Sequence, residues 1–296
     1  GWPGDWVVLD RDDAPPLDEV SATAGGRLHW VPVGHRGLRS RMSAVAAWIE
    51  RAQPTLMVVD VSVEVTLLAR LCGVPVVVCA MLGDRDDPAH RLGRDVARAL
   101  IAPWPGAPHR PGADGVPVEH VGAFSRFDGR VRAERARSGS VLVLWGSGGS
   151  DLDEAQLAAA RAATPGWRWV YRIPGPSTST GDEDASAGDD DVWDALEDAE
   201  VVVVHGGHNA VAEVAAARRP AVVVAQQRPF DEQLRRVELL RKEGIVALDG
   251  WPAATGWPDL LERARRVGGG PWARWSPGDG ARRAARLLDG FAGERR

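Results

Sequence analysis

The nine residues His205-Gly206-Gly207-His208-Asn209-Ala210-Val211-Ala212-Glu213 carry most of the chemistry legible in this chain. They follow the apolar run Val201-Val202-Val203-Val204 and open a stretch, Asn209 to Ala217, that reads as helix. A buried strand that ends in two glycines and turns into a helix makes an anion site. Glycine lets the backbone come close to a phosphate, and the free N–H groups and dipole of a helix start favour negative charge. His205 at the strand end and Glu213 further along the helix would then hold a pyrophosphate and a ribose together, which points to a sugar-nucleotide site. The plainer alternative is a strand-to-helix turn of any doubly wound domain, because glycine serves tight turns everywhere and a fold does not fix a function.

A second apolar run, Ala221-Val222-Val223-Val224-Ala225, follows, and then Pro229-Phe230-Asp231-Glu232-Gln233 at the start of the next helix. The two elements together resemble the donor-binding signature of the GT-B glycosyltransferases, whose pattern is His-x-Gly-x-Asn/Gly-Ser/Thr-x-x-Glu followed by a strand and a Pro-x-x-x-Asp/Glu-Gln element. The resemblance implies a fold of two Rossmann-like domains facing a crevice. It also implies contacts from His205 and the backbone of Gly206, Gly207, His208 and Asn209 to the donor phosphates. Glu213 would accept from the ribose hydroxyls, and Glu232 with Gln233 would meet the hydroxyls of the donor sugar. Ala210 departs from the pattern: it stands where the family often has Ser or Thr, so one hydroxyl contact to phosphate is missing.

The elements that must hold these residues read as alternating strands and helices, the mark of a parallel α/β sheet. Strands are expected at Trp6–Leu9, Leu28–Val33, Thr55–Asp60, Val74–Ala80, Ala99–Ala102 and Val118–Val121, with helices at Ser40–Arg51 and Ser62–Leu71, whose apolar residues recur at helical spacing. Gly122–Gly139 shows no sustained apolar period. The expected division is therefore a first domain over 1–125, a linker over 126–139 and a donor-binding domain over 140–296. The second half restarts with Val141–Trp145, then Gly146-Ser147-Gly148-Gly149-Ser150, then a helix that Asp151 or Asp153 could cap. By the resemblance Gly146, Ser147 and Gly148 line the donor phosphates. Pro174–Asp191 is too polar to bury and reads as a loop, and Trp193 after it either stacks on the donor base or packs beneath that loop. The final helix, Asp279–Phe291, either caps the second domain or crosses back onto the first.

Length and charge exclude several classes of protein. A chain of 296 residues can bury a sizeable core and by length suggests two domains. A net charge of -5 argues against a dedicated nucleic-acid binder, which carries a basic face. Cys72 and Cys79 sit in or beside apolar runs without a histidine cluster, so buried thiols are expected rather than a disulfide or a metal site, and no cofactor is called for. Apolar runs of strand length and the lack of a signal peptide lead to the expectation of a cytoplasmic enzyme.

The acceptor side is less defined. Glycosyl transfer needs a base for the acceptor's proton, which the resembled family places as a His in the loop after its first strand. No such strand–loop–helix precedes Trp6–Leu9, and the reading favours a stretch lost upstream of Gly1. Two residues stand in as catalytic candidates. Asp60 ends a strand and either assists a base or caps a helix, and His35 lies in the loop Val33-Gly34-His35-Arg36-Gly37. Arg36, Arg39 and Arg41 beside Leu38 and Met42 either form a solvated helix start or give weak peripheral membrane contact for a lipid-linked acceptor. The resulting expectation is transfer of a sugar from a nucleotide-sugar donor, a UDP-sugar by preference, to a small-molecule or lipid-linked acceptor. The alternatives are an enzyme like the non-hydrolysing UDP-N-acetylglucosamine 2-epimerases, which share the fold, and a nucleotide-sugar-binding protein without turnover.

Overall fold

The computed structural model describes residues 4–13, 22–106, 115–132, 137–145, 152–172 and 189–293. The chain divides into two compact units, one of Gly1–Met81, Arg85–Val121 and Arg282–Arg296, the other of Leu82–Asp84 and Gly122–Ala281.

The first unit carries α1 (Arg36–Ala52), β1 (Met57–Asp60), α2 (Val63–Leu71), β2 (Val76–Cys79), α3 (Pro88–Val96), β3 (Ala99–Ala102) and β4 (Val118–His120). Its four strands pair in parallel in the order β1-β2-β3-β4. Parallel pairing needs a crossover between neighbours, and α2 and α3 supply two of them. Ile49 of α1, Val59 of β1, Ala69 of α2 and Val74 and Val76 at β2 close one core between sheet and helices. Two expected strands are absent. Trp6–Leu9 is irregular, with Val8 96 % exposed, because no described strand lies beside it to take its backbone bonds. Leu28–Val33 is turned rather than extended: the N–H groups of Leu28 and Val31 fold back onto the carbonyls of Thr23 and Ala22, a local closure that excludes ladder pairing.

The second unit contains β5 (Arg137–Leu144), α4 (Glu154–Ala163), β6 (Arg168–Arg172), α5 (Asp189–Asp198), β7 (Ala199–His205), α6 (His208–Ala217), β8 (Ala221–Val224), α7 (Glu232–Lys242), β9 (Val246–Leu248), α8 (Trp257–Val267) and the short α9 (Trp272–Trp275). β5 begins inside the segment expected as linker, because Arg137 already pairs with Ala199 before the register shifts at Val141. Asp153 is the cap of α4, in a reciprocal capping box with Gln156. The final helix, α10 (Gly280–Gly293), passes from this unit to the first, whose residues resume at Arg282. Within that unit the Arg98 guanidinium lies over the Phe291 ring at 5.3 Å.

All pairings of the second sheet are parallel and its order is β6-β5-β7-β8-β9. The unit's first strand, β5, therefore lies between its second, β6, and its third, β7, and the winding reverses at β5/β7. Ligands of open α/β sheets bind outside the carboxyl ends of the strands at such a reversal. β5 ends at Leu144, directly before Trp145, and β7 ends at His205. Val141, Val143, Trp145, Val201, Val203, Val222 and Val224 cover one face of this sheet and meet Trp257 and Leu261 of α8. The strands at the reversal thereby rest on a close-packed floor.

Candidate functional site

The turn from β7 to α6 is built as its sequence suggests. Gly207 takes the N-cap position with extended backbone, and no side chain caps the helix, so the N–H groups of its first turn stay available to a ligand. The Gly207 N–H itself donates to Nδ1 of His205 at 3.0 Å. A backbone N–H can only donate, so Nδ1 must carry a lone pair and the single proton of a neutral imidazole resides on Nε2. The ring is neutral: burial first, then the Arg228 and Arg236 guanidiniums, push the His205 pKa down to about 4. Burial and Arg236 likewise push His208 down to about 4. His205 thus presents an Nε2–H donor that finds no partner among the described residues.

Absence of a Cβ at Gly206 and Gly207 is used differently at the two positions. A methyl at Gly207 would lie 2.1 Å from Cε1 of His205, inside the imidazole. At Gly206 it would meet the side chain of Gln233 at 3.2 Å. Gln233 is 3 % exposed, and its Oε1 accepts from the backbone N–H of Gln226 at 2.9 Å, tying α7 to the end of β8. Glu232 receives the guanidinium of Arg236 at 3.0 Å, and the same buried Arg236 donates to the carbonyl of Gly206. The Pro229–Gln233 element therefore braces the glycine turn from behind. Within it, Phe230 and Asp231 both adopt left-handed backbone, with φ of 62° and 54°. Non-glycine residues in that region cost of order 1–3 kcal/mol each, a cost met by the surroundings where a functional turn requires it.

The expected donor residues that fall within the described part of the chain have definite places. Asn209 is exposed at the first turn of α6, and His208 is half-buried beside it. Glu213 lies on the next turn, its side chain only 13 % exposed, and is held by Arg126 Nε at 2.9 Å. Arg126, 87 residues away, was not readable as its partner in the sequence. Gly146, Ser147 and Gly148 lie outside the described residues. Trp193 departs from the stacking expectation. It is 5 % exposed, edge-on to Phe127 with ring centres 5.3 Å apart and covered by Arg130 at 5.6 Å, which leaves no open face of the size a base needs.

The catalytic expectations in the first unit fare differently. His35 is the N-cap of α1, its Nδ1 accepting from the Leu38 N–H at 3.2 Å. The lone pair that a general base needs is spent on the helix, and Nε2 holds the remaining proton, so His35 is corrected from candidate base to cap. Asp60 is exposed at the carboxyl end of β1, but the cap of α2 is Ser62, whose hydroxyl accepts from the Val65 N–H. Among the described residues no histidine is hydrogen-bonded to Asp60. Arg41, from the basic stretch, is engaged by Asp12 at 3.2 Å.

Sequence reasoning missed a cluster. His29 Nε2 approaches His90 Nδ1 at 3.2 Å, Asp87 binds the same His90 Nδ1, and Arg85 Nη1 lies 2.8 Å from His90 Nε2. Arg85 only donates, so Nε2 of His90 accepts and its proton sits on Nδ1, given to Asp87. The three side chains have metal-ligand chemistry, with ligand atoms all within 4.8 Å of one another. The bonds from His90 hold Asp87 down to about 2 against the desolvation that opposes them, while burial lowers His90. The Asp87-x-x-His90 spacing is visible in sequence, but His29 arrives from a distant loop and only folding brings it there. None of the described helices is long and apolar enough to cross a membrane.

Residues 185–246 match the family model described as the glycosyltransferase family 28 C-terminal domain, the segment that includes β7, the glycine turn, α6, β8 and α7. No curated protein matches. Among solved structures, the glycotransferase of kitacinnamycin is 19 % identical, with 86 % of this chain and 80 % of that one covered and a TM-score of 0.58. MurG of Acinetobacter baumannii is 15 % identical over 84 % of this chain and 77 % of its own, with a TM-score of 0.56. A Listeria monocytogenes protein named provisionally as a UDP-N-acetylglucosamine 2-epimerase is 14 % identical over 86 % of this chain and 79 % of its own, with a TM-score of 0.60. The fold is the one these proteins share, and within it residues 185–246 of the second unit are similar to a glycosyltransferase family 28 C-terminal domain.

Proposed function

We propose that the chain takes a sugar from a UDP-sugar and gives it to a hydroxyl of a small-molecule or lipid-linked acceptor, with His205, the Gly206–Asn209 backbone and Glu213 holding the donor. The observation that carries this reading is the His205–Gly207 hydrogen bond. It fixes the imidazole as an Nε2–H donor beside the uncapped start of α6. In the transfer the acceptor oxygen bonds to the anomeric carbon, the bond from that carbon to the phosphate oxygen breaks, and the acceptor's proton goes to a base. The leaving nucleoside diphosphate keeps the electron pair. The helix start and the Nε2–H stabilise that charge as it develops, which is where such donors have most effect.

Glu213 is read as the ribose acceptor. Arg126 bonds one oxygen, Oε1, and holds the carboxylate in a fixed orientation. Glu213→Gln is expected to reduce the preference for UDP over its 2′-deoxy form by several-fold or more, since a hydrogen bond to a charged group contributes roughly 1.5–3 kcal/mol and its neutral counterpart less. Calorimetric titration with the two nucleotides reads this. An unchanged ratio of affinities removes Glu213 from the ribose site.

The activity itself is tested by incubating the full chain with UDP-glucose and UDP-N-acetylglucosamine and a panel of phenolic, macrolide and polyprenyl-phosphate acceptors, the last with and without anionic vesicles. Glycosylated product supports the reading, and a requirement for vesicles together with loss on Arg36→Ala and Arg39→Ala identifies a membrane-bound acceptor. Conversion of UDP-N-acetylglucosamine to its C2 epimer without an acceptor would replace transfer with epimerisation, the second reading that the fold of the Listeria protein favours. Binding of the donor with neither product would reduce the chain to a nucleotide-sugar-binding protein.

A further inference from the structure

Three neighbouring strand ends of the second unit bring together side-chain N–H groups that have no acceptor among the described residues: Nε1 of Trp145 after β5, Nε2 of His205 at the end of β7 and Nε2 of Gln226 after β8. Each is fixed as a donor by separate chemistry. An indole nitrogen can only donate. His205 has its lone pair taken by the Gly207 N–H. Gln226 receives the Arg228 guanidinium on Oε1 at 3.1 Å, which settles the orientation of its amide and leaves the NH2 facing elsewhere. Trp145 is 3 % exposed and Gln226 5 %, so water does not compensate them. The indole and imidazole rings lie 5.6 Å apart at the reversal of the sheet. Gln226 is tied to the same turn through Gln233, whose side chain touches the Gly206 position.

Buried polar groups in folded proteins are nearly all paired, and an unpaired one calls for an explanation. Here three donors are unpaired at three adjacent strand ends with no unpaired acceptor among them. A water molecule accepts at most two hydrogen bonds and brings protons that need acceptors of their own. A phosphate brings acceptors only. We infer that Trp145 and Gln226 act with His205 as N–H donors to the diphosphate of the nucleotide-sugar, supplying the contact that a hydroxyl at position 210 would otherwise give. This inference rests on the donor-site reading above and adds to it two residues outside the glycine turn. Both are binding residues that contact the leaving group, so they govern affinity for the diphosphate rather than for the nucleoside.

The test uses the full chain, with UDP titrated calorimetrically and uridine followed by ligand-observed NMR. Trp145→Phe removes the N–H and keeps an aromatic ring; Gln226→Glu keeps the oxygen that Arg228 binds and replaces the donor by an acceptor. Trp145→Phe is expected to weaken UDP roughly tenfold or more. Gln226→Glu should weaken it further, because a carboxylate faces the phosphate. Uridine binding should change less than twofold in either. Equal losses for UDP and uridine would show that Trp145 merely packs the floor and would overturn the inference. Wild-type affinity for UDP in both variants would overturn it while leaving the donor-site reading intact. Failure of the unmodified chain to prefer UDP over uridine would overturn both.

Discussion

Replacing Gly207 by alanine is expected to remove measurable nucleoside-diphosphate binding while leaving the chain folded. Gly207 has φ of -70° and ψ of 148°, a conformation that alanine adopts without strain, so the backbone does not object. The obstacle is the new methyl, which would lie 2.1 Å from Cε1 and 2.6 Å from Nδ1 of His205. The imidazole cannot stay, and Trp145, with its ring centre 5.6 Å from that of His205, limits where it can go. Rotating the ring breaks the Nδ1 bond to the turn and withdraws the Nε2–H from the phosphate. The loss is at least that of one hydrogen bond to a charged acceptor, roughly 1.5–3 kcal/mol, and the methyl also fills space that the bare backbone keeps open for phosphate. His205→Ala, which deletes the donor without adding the methyl, is expected to bind UDP more weakly than wild type and more tightly than Gly207→Ala. Calorimetry gives the affinities and circular dichroism the fold; a Gly207→Ala variant that binds UDP as the wild type does would show that the turn is not the phosphate site.

The second large effect is a loss of stability in mild acid. His205 and His208 each titrate at about 4 in the folded chain, against about 6.5 for an unperturbed imidazole. Above pH 6.5 both are neutral whether the chain is folded or not, and they impose no pH dependence. Between 6.5 and 4 the unfolded chain takes up protons that the folded chain refuses, so unfolding becomes easier as pH falls. The loss accumulates until the folded residues protonate near pH 4. A depression of that size is worth on the order of 3 kcal/mol for each group. The two sums are not independent, since both rings face the Arg236 guanidinium. Even one such term is a large share of a stability of roughly 5–15 kcal/mol. Urea titrations from pH 7.5 to 4.5 should show the unfolding free energy falling with pH. The double variant His205→Gln, His208→Gln should show a much flatter profile over the same range. A variant with the wild-type slope would move the acid sensitivity elsewhere. Below pH 4 a further loss follows from Asp87, whose depressed pKa stabilises the fold only while its carboxylate is charged.

The alternation of strands and helices, the position of the glycine turn and the element that follows it are legible along the chain alone. These are local signals. A run such as Val201–Val204 pairs in a sheet wherever its neighbours lie, glycines allow the close turn, and the apolar period from Ala210 to Ala217 requires a helix packed on that sheet. Local pattern misled where a strand needs a partner: Trp6–Leu9 alternates well enough, yet no described strand lies beside it, and Leu28–Val33 closes on its own turn.

Tertiary structure decided everything that depends on what surrounds a group. The titration of His205 is set by burial and by two arginines from the β8–α7 segment, and its tautomer by one backbone N–H. Whether His35 is a base or a cap depends on where its lone pair points, and folding points it at Leu38. Trp193 has the chemistry to stack on a base, but Phe127 and Arg130 enclose it. Trp145, His205 and Gln226 are 60 and 21 positions apart along the chain, and only the strand order β5-β7-β8 makes neighbours of them. Residue type gives each of these groups its capacity to donate or accept. Sheet order and desolvation, which no local pattern encodes, determine which capacity is left over for a ligand.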